Sequence, residues 1–251
     1  MRNIKLTIEY DGTNYSGWQS QNNSVAIQDE IQKAIKKLTG EDCLLIGSGR
    51  TDAGVHALGQ VANFKTSSKI PADKFSYALN SFLPEDIVIK KSEEVSLDFH
   101  AQYSAKGKKY MYLIYNSTRP SALLRDRAYF VPQKLDVDAM KKAAECFIGT
   151  HDFSAFRATG GSAKTSVRTI NNVSLDVCYN QLDACHNLIK FEIAGNGFLY
   201  NMVRIIAGTL VEIGIGKLPW DSVPGIIESR ERKRAGRTVP PHGLYLVEVY
   251  Y

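Results

Sequence analysis

The sequence predicts an α+β fold of two similar halves, each with the element order β-α-β-β-α-β of the ferredoxin-like pattern. In some segments the apolar residues alternate, which is typical of half-buried strands, and in others they recur every three or four residues, as in amphipathic helices. The two kinds of segment follow each other in the same order twice along the 251 residues. Two such halves suggest a pseudo-twofold arrangement with a cleft between them, and clefts of this kind are frequent ligand sites.

Short local patterns predict the elements of the first half. Apolar residues recur at helical spacing from Ile27 to Leu38, and Gly40 is a typical helix end. Pro71 stands where a second helix would begin. The predicted segments are a strand over 3–9, a helix over 25–38, strands over 43–46 and 60–66, a helix over 72–82 and a strand over 86–94.

The second half repeats this order less regularly. Polar and small residues collect near residues 100–107, so we expect a domain boundary there, giving domains 1–103 and 104–251. The predicted strands are 108–115, 168–179, 188–194 and 244–250, and the predicted helices are 136–147, 199–214 and an additional one at 220–229.

The charge pattern favours a polyanionic partner. The net charge of +5 is only a mild bias, but positive residues cluster at 106–109 and 230–237. A solvated loop face would explain each cluster alone. Together with the interleaved aromatic residues they indicate phosphate contacts.

Other features exclude several classes of protein. No apolar run is long enough for a transmembrane helix, and the first residues enter a strand pattern without a signal peptide, so we expect a cytoplasmic protein. The four cysteines form no Cys-x-x-Cys pair, so we expect small buried hydrophobic residues and no metal. They are Cys43, Cys146, Cys178 and Cys185.

The stretch 47–56 carries the strongest signal for chemistry. Three glycines and an alanine surround Asp52, which lies two residues after Arg50 and four before His56. A turn-forming aspartate is the ordinary explanation. An arginine near the carboxylate would lower its pKa and keep it ionised, which suits nucleophilic attack or proton abstraction. The loop has no second acidic residue for a glycosidase pair, and Asp11 is the best remote candidate.

Aromatic and basic residues elsewhere have two explanations each. The aromatic residues of 10–18 either cover an edge of the core or stack on unpaired bases. Tyr110, next to a lysine pair, also allows base stacking. Arg204 falls on a largely apolar helix face, where an arginine needs a carboxylate partner, and Asp52 is a candidate.

With these motifs the chain resembles the TruA family of tRNA pseudouridine synthases. The most specific match is Arg-Thr-Asp-Ala-Gly-Val-His at 50–56. Further matches occur in order along essentially the whole chain: Tyr-Asp-Gly at 10–12, Gly-Trp-Gln at 17–19, the segments 109–116 and 151–156, Asn-Met-Val-Arg at 201–204 and Gly-Leu-Tyr-Leu at 243–246.

The resemblance implies an isomerase that converts uridine to pseudouridine at positions 38 to 40 in the anticodon arm of tRNA. It implies the pseudouridine synthase fold, with a central antiparallel sheet and an RNA-binding cleft. It also implies a homodimer that needs no cofactor and no metal. The alternative is a catalytically inactive module that binds tRNA and assists RNA folding, and a nucleoside hydrolase has little support.

Residue roles follow from the same resemblance. Asp52 matches the essential aspartate, usually called the nucleophile, and attack at C1′, attack at C6 and abstraction of the 2′ proton all remain open. Tyr110 matches the tyrosine that stacks on the target uracil, and Leu244 an apolar residue of the pocket. Arg204 matches the arginine that pairs with the catalytic carboxylate, whereas Arg50 matches one that helps to displace the base.

Overall fold

A computed structural model describes residues 1–21, 24–161, 163–180 and 185–251. Its helices are α1 (Ile27–Thr39), α2 (Phe75–Asn80), α3 (Val137–Glu145), α4 (Met202–Gly214) and α5 (Val223–Ser229). Its strands are β1 (Arg2–Tyr10), β2 (Ile46–Gly47), β3 (His56–Thr66), β4 (Ile87–Val95), β5 (Gly107–Asn116), β6 (Tyr129–Val131), β7 (Gly149–Asp152), β8 (Val167–Asn180), β9 (Cys185–Gly195) and β10 (Leu244–Tyr250). The α+β class is therefore confirmed.

The chain divides into two compact units. The first comprises Met1–Lys106 and Tyr245–Tyr251, and the second comprises Gly107–Leu244. The expected division at 103/104 gave the last strand to the second half. The structure instead places almost all of β10 in the first unit, because it pairs with β3 and because the Lys106 N–H donates to the Tyr250 carbonyl at 2.8 Å.

The first unit contains β4, β1, β3 and β10 as neighbouring strands, with β2 also paired to β3. The pairs β1–β4 and β1–β3 are antiparallel, but β10 runs parallel to β3. The expectation of an antiparallel sheet is therefore wrong at this pair. One face of α1 is buried, through Ile27, Ile31, Ala34 and Ile35, and Gly40 ends the helix in the left-handed region at φ 77°. The order of elements from β1 to β4 is the predicted one, but of the strand expected over 43–46 only residue 46 lies in β2.

The second unit contains β5, β9, β8 and β7 as antiparallel neighbours. The short strand β6 runs parallel to β5. The sequence did not predict β6 or β7, since three and four residues are too few for a periodic pattern. Among the helices, α4 is almost entirely buried and forms the core of this unit.

All five predicted helices are shorter in the structure than expected, and the reason is visible for two of them. The segment 72–82 begins as a 3₁₀ turn at Ala72–Lys74 and continues as α2 only to Asn80. The helix predicted from residue 199 begins at Met202, because Asn201 has a left-handed backbone with φ 60°.

Three of the four cysteines lie in parts of the chain whose side chains the structure describes. Cys43, Cys146 and Cys178 are free thiols that are partly exposed, so the expectation of full burial is wrong for these three. Burial and the Glu41 carboxylate raise the pKa of Cys43 to about 11, so the thiol form is favoured over the thiolate at neutral pH. No described helix has the length and apolar character needed to cross a membrane.

Candidate active-site loop

The Asp52 loop joins β2 to β3 in the first unit, and hydrogen bonds hold its backbone at both ends. The Trp18 N–H donates to the Thr51 carbonyl at 3.1 Å, and the Gly54 N–H donates to the Tyr15 carbonyl at 3.4 Å. Within the loop, the Val55 N–H donates to the Asp52 carbonyl at 3.1 Å and closes a turn. The segment after β1 therefore acts as a frame for the catalytic candidate.

Two glycines of this frame allow its close approach to the loop. A Cβ on Gly12 would overlap the Val55 carbonyl oxygen, and one on Gly17 would overlap the Thr51 carbonyl oxygen. Gly17 also has φ 105°, a backbone conformation that favours glycine. Any side chain at these positions would push the frame away from the loop.

The aromatic residues of the frame cover the core rather than offer rings to a ligand. Tyr10, Tyr15 and Trp18 are 3%, 7% and 3% exposed. The Tyr10 hydroxyl is hydrogen-bonded to the Thr51 hydroxyl at 2.7 Å. The first of the two explanations for these residues, an edge of the core, is the one that the structure supports.

His56 fixes the point where the loop enters β3. Its Nδ1 lies 3.0 Å from Asp11 Oδ1 and 3.1 Å from the Gly12 N–H, and its ring stacks on Tyr245 at 4.7 Å. Asp11 also accepts hydrogen bonds from the Thr13 N–H and hydroxyl. Asp11 thus supports the loop through its contact with His56. The sequence did not reveal this arrangement, because the residues that surround His56 are far from it along the chain.

Asp52 and Arg50 differ in environment although they are near neighbours in sequence. Asp52 is half-buried between the buried Thr51 and Val55, whereas Arg50 is exposed. Within the described chain Arg50 forms no ion pair. Its guanidinium is therefore available to an anionic ligand.

In the second unit, neighbouring residues hold Tyr110 and Arg204 in place. Tyr110 is 8% exposed, and its ring meets Phe198 edge-on at 5.1 Å. Arg204 donates through Nε to the Val239 carbonyl and through Nη1 to Asn201 Oδ1, both at 2.8 Å. Leu244 is buried at the start of β10. Sequence reasoning missed the supporting roles of Phe198 and Asn201: Phe198 carries no charge, and Asn201 lies in the Asn-Met-Val-Arg match without a role of its own there.

Part of the basic run 230–237 stabilises the fold. Arg230 pairs with Asp152 at 3.3 Å, and Arg232 donates to two backbone carbonyls and to Thr238 Oγ1. Arg237 lies over the ring of Tyr129 at 5.8 Å. Lys233 is exposed but pairs with Glu231 at 3.1 Å, so the exposed Arg234 is the clearest candidate for a phosphate contact in this run.

No three His, Cys, Asp or Glu side chains among the described residues are grouped in a way that would hold a metal ion.

Comparison with known proteins identifies the family. Residues 6–104 and 143–251 match the family model described as tRNA pseudouridine synthase, so Asp52 and Arg204 lie inside the matched segments and Tyr110 lies between them. Curated proteins named tRNA pseudouridine synthase A align over all 251 residues, which is 100% of both chains in each case. The identity is 67% for Acetivibrio thermocellus, 59% for Ruminiclostridium cellulolyticum and 58% for Caldicellulosiruptor bescii. The chain belongs to the tRNA pseudouridine synthase family, a family of isomerases that act on uridine in tRNA.

Proposed function

We propose that this chain converts uridine to pseudouridine at positions 38 to 40 in the anticodon arm of tRNA. The observation that carries the proposal is the half-buried Asp52 in a loop whose backbone is hydrogen-bonded to a rigid frame. A fixed carboxylate suits a reaction that depends on the placement of one nucleophile or base. The tRNA positions rest on the resemblance of the 50–56 motif.

The proposed reaction rearranges one nucleoside without consuming water. The N1–C1′ bond breaks, the uracil turns, a C5–C1′ bond forms, the C5 proton is lost and N1 gains a proton. Glycosidases that add water use two carboxylates, and the absence of a second acidic residue in the loop agrees with a reaction that adds none. Asp52 acts at C1′, at C6 or on the 2′ proton.

Each further site residue has a proposed role that fits its surroundings. Tyr110 stacks on the target uracil, with its ring braced by Phe198. Arg204, whose side chain is held by hydrogen bonds from Nε to Val239 and from Nη1 to Asn201, keeps Asp52 ionised. The exposed Arg50 helps to displace the base, and Leu244 lines the uracil pocket.

The proposal also includes the arrangement of the whole enzyme. Its halves are ferredoxin-like units that provide an RNA-binding cleft, and the enzyme is a homodimer in which both subunits hold one tRNA. Since its substrate is tRNA, we propose that it acts in the cytoplasm. The target base has to leave its stack, which costs a few kcal/mol, and contacts to arginine and Tyr110 offset part of that cost.

Mapping pseudouridine in cellular tRNA tests the proposal. Cells without the gene should lack pseudouridine at positions 38 to 40, and the wild-type gene should restore it. Asp52→Asn should not restore it, whereas the control Asp73→Asn should, because Asp73 is an exposed residue paired with Lys74. Restoration by Asp52→Asn would contradict the role of Asp52, and unchanged tRNA in cells without the gene would contradict the proposed positions.

A further inference from the structure

Two arginines of the second unit lie beside loops that meet at Tyr200. A Cβ on Gly161 would be 3.7 Å from Arg157 Nε and 2.9 Å from Tyr200 Cβ. The Ala158 N–H donates to the Tyr200 carbonyl at 3.1 Å, which ties the loop after Arg157 to the segment before α4. A Cβ on Gly197, in that same segment, would be 3.7 Å from Arg168 Nε.

The charges of these two arginines are not neutralised within the described chain. Arg157 donates through Nη2 to the Gly161 carbonyl at 2.7 Å. Arg168 donates through Nη1 to the carbonyls of Thr165 and Val167 at 2.9 and 2.6 Å. Neither forms an ion pair with a described carboxylate. Since a guanidinium has five N–H donors, both retain donors for a ligand.

The two cations also affect each other. Burial, and secondly the positive charge of Arg157, lower the pKa of Arg168. The protein places these two like charges beside segments that are joined at Tyr200 and positions both through neutral backbone carbonyls. An anion between them would relieve the repulsion, and arginine matches phosphate oxygens in charge and in geometry.

The same segment leads to the proposed uracil-stacking residue. Phe198, which packs against Tyr110, lies between Gly197 and Tyr200 in sequence. The side chain of Tyr200 is 45% exposed, unlike the buried tyrosines of the first unit. An exposed ring beside uncompensated arginines is the combination that binds an unpaired nucleotide, through its base and its phosphate.

We propose that Arg157 and Arg168 bind a phosphodiester of the tRNA next to the target uridine, and that Tyr200 stacks on a base there. The inference rests on the proposed function, because it takes the RNA bound at Tyr110 as its ligand. It adds a subsite outside the catalytic residues. The site contributes to tRNA affinity and to the position of the RNA strand, while the chemical step depends on Asp52.

The salt dependence of tRNA binding tests the subsite. Arg157→Gln and Arg168→Gln should each weaken binding by about 5- to 10-fold at 0.1 M salt and reduce the slope of log K against log salt by about 1. The rate of pseudouridine formation at saturating tRNA should be unchanged. Lys33→Gln is the matched control, since it removes one positive charge that is paired with Glu30 in the first unit. An equal slope for the three variants would overturn the proposal.

Further variants separate ligand binding from loop support. Arg168→Lys keeps the positive charge but lacks the planar set of guanidinium donors. It should therefore retain most of the slope of log K against log salt. Tyr200→Phe should bind like the wild type, whereas Tyr200→Ala should lose about 5- to 100-fold in affinity. If Arg168→Gln does not fold, Arg157→Gln, which loses one hydrogen bond to Gly161, decides the question. Normal binding by Arg157→Gln together with an inactive Asp52→Asn would refute the subsite and leave the proposed function intact.

Discussion

Lys108 is a half-buried cation whose removal should stabilise the protein. It lies on β5, two residues before Tyr110, so both side chains point to the same face of the strand. Its ammonium group forms no ion pair and no hydrogen bond with a described residue. Burial lowers the pKa of Lys108 from the ordinary 10.5 to about 8.

The magnitude follows from this difference in pKa. Below pH 8 the lysine is charged in both the folded and the unfolded protein. The folded protein therefore bears the full free-energy cost of desolvating the ammonium group. Between pH 8 and 10.5 the folded state loses the proton while the unfolded state keeps it, so stability rises with pH. At about 1.4 kcal/mol per pH unit, the difference between 10.5 and about 8 gives a penalty of at most about 3.5 kcal/mol, and the partial exposure of the side chain reduces it. Lys108→Met should therefore raise the free energy of unfolding at pH 7 by up to about 3 kcal/mol.

Urea unfolding of the wild type and of Lys108→Met at pH 7 and 9.5 measures this effect. The gain in stability should be largest at pH 7 and smaller at pH 9.5. Lys109→Met is the control, because Lys109 points to the other face and pairs with Glu192 at 3.0 Å. A Lys108→Met variant that is no more stable than the wild type at pH 7, or a gain that does not change with pH, would refute the reasoning.

Three more substitutions test the frame and the uracil site. Gly12→Ala should lower the free energy of unfolding by on the order of 2–4 kcal/mol, because its Cβ would overlap the Val55 carbonyl; urea unfolding measures it. Tyr10→Phe should cost about 1 kcal/mol in the same assay through the lost hydrogen bond to Thr51, and a stability equal to the wild type would contradict that contact. Tyr110→Ala should lower kcat/KM for pseudouridine formation by about 10- to 100-fold through lost stacking, and an unchanged value would remove Tyr110 from the site.

The elements that the sequence predicted are those with local, periodic patterns. The helix from Ile27 has a continuous apolar face and a glycine end, so its signal lies within a few turns. β6 and β7 are too short for such a pattern. The pairing of β10 with β3 joins residues almost 190 positions apart, and a strand pattern does not contain the identity of its neighbour.

The candidate site divides in the same way. The sequence singles out Asp52 as a candidate because charge and glycine are concentrated in one short loop. The support for that loop could not be predicted, since it depends on backbone hydrogen bonds from Trp18 and on the stacking of His56 on Tyr245. Arg157 and Arg168 were also missed, because only the folded chain shows that they have no carboxylate partner among the described residues.

The chemical role of Asp52 can be measured through tritium release from tRNA labelled at C5 of uridine. Pseudouridine formation replaces the C5–H bond with a C5–C1′ bond, so each turnover releases one label. The wild type should release tritium, and Asp52→Asn should bind tRNA with about the same affinity and release none. Release by Asp52→Asn at a rate near that of the wild type would contradict the assignment of this aspartate as the catalytic group.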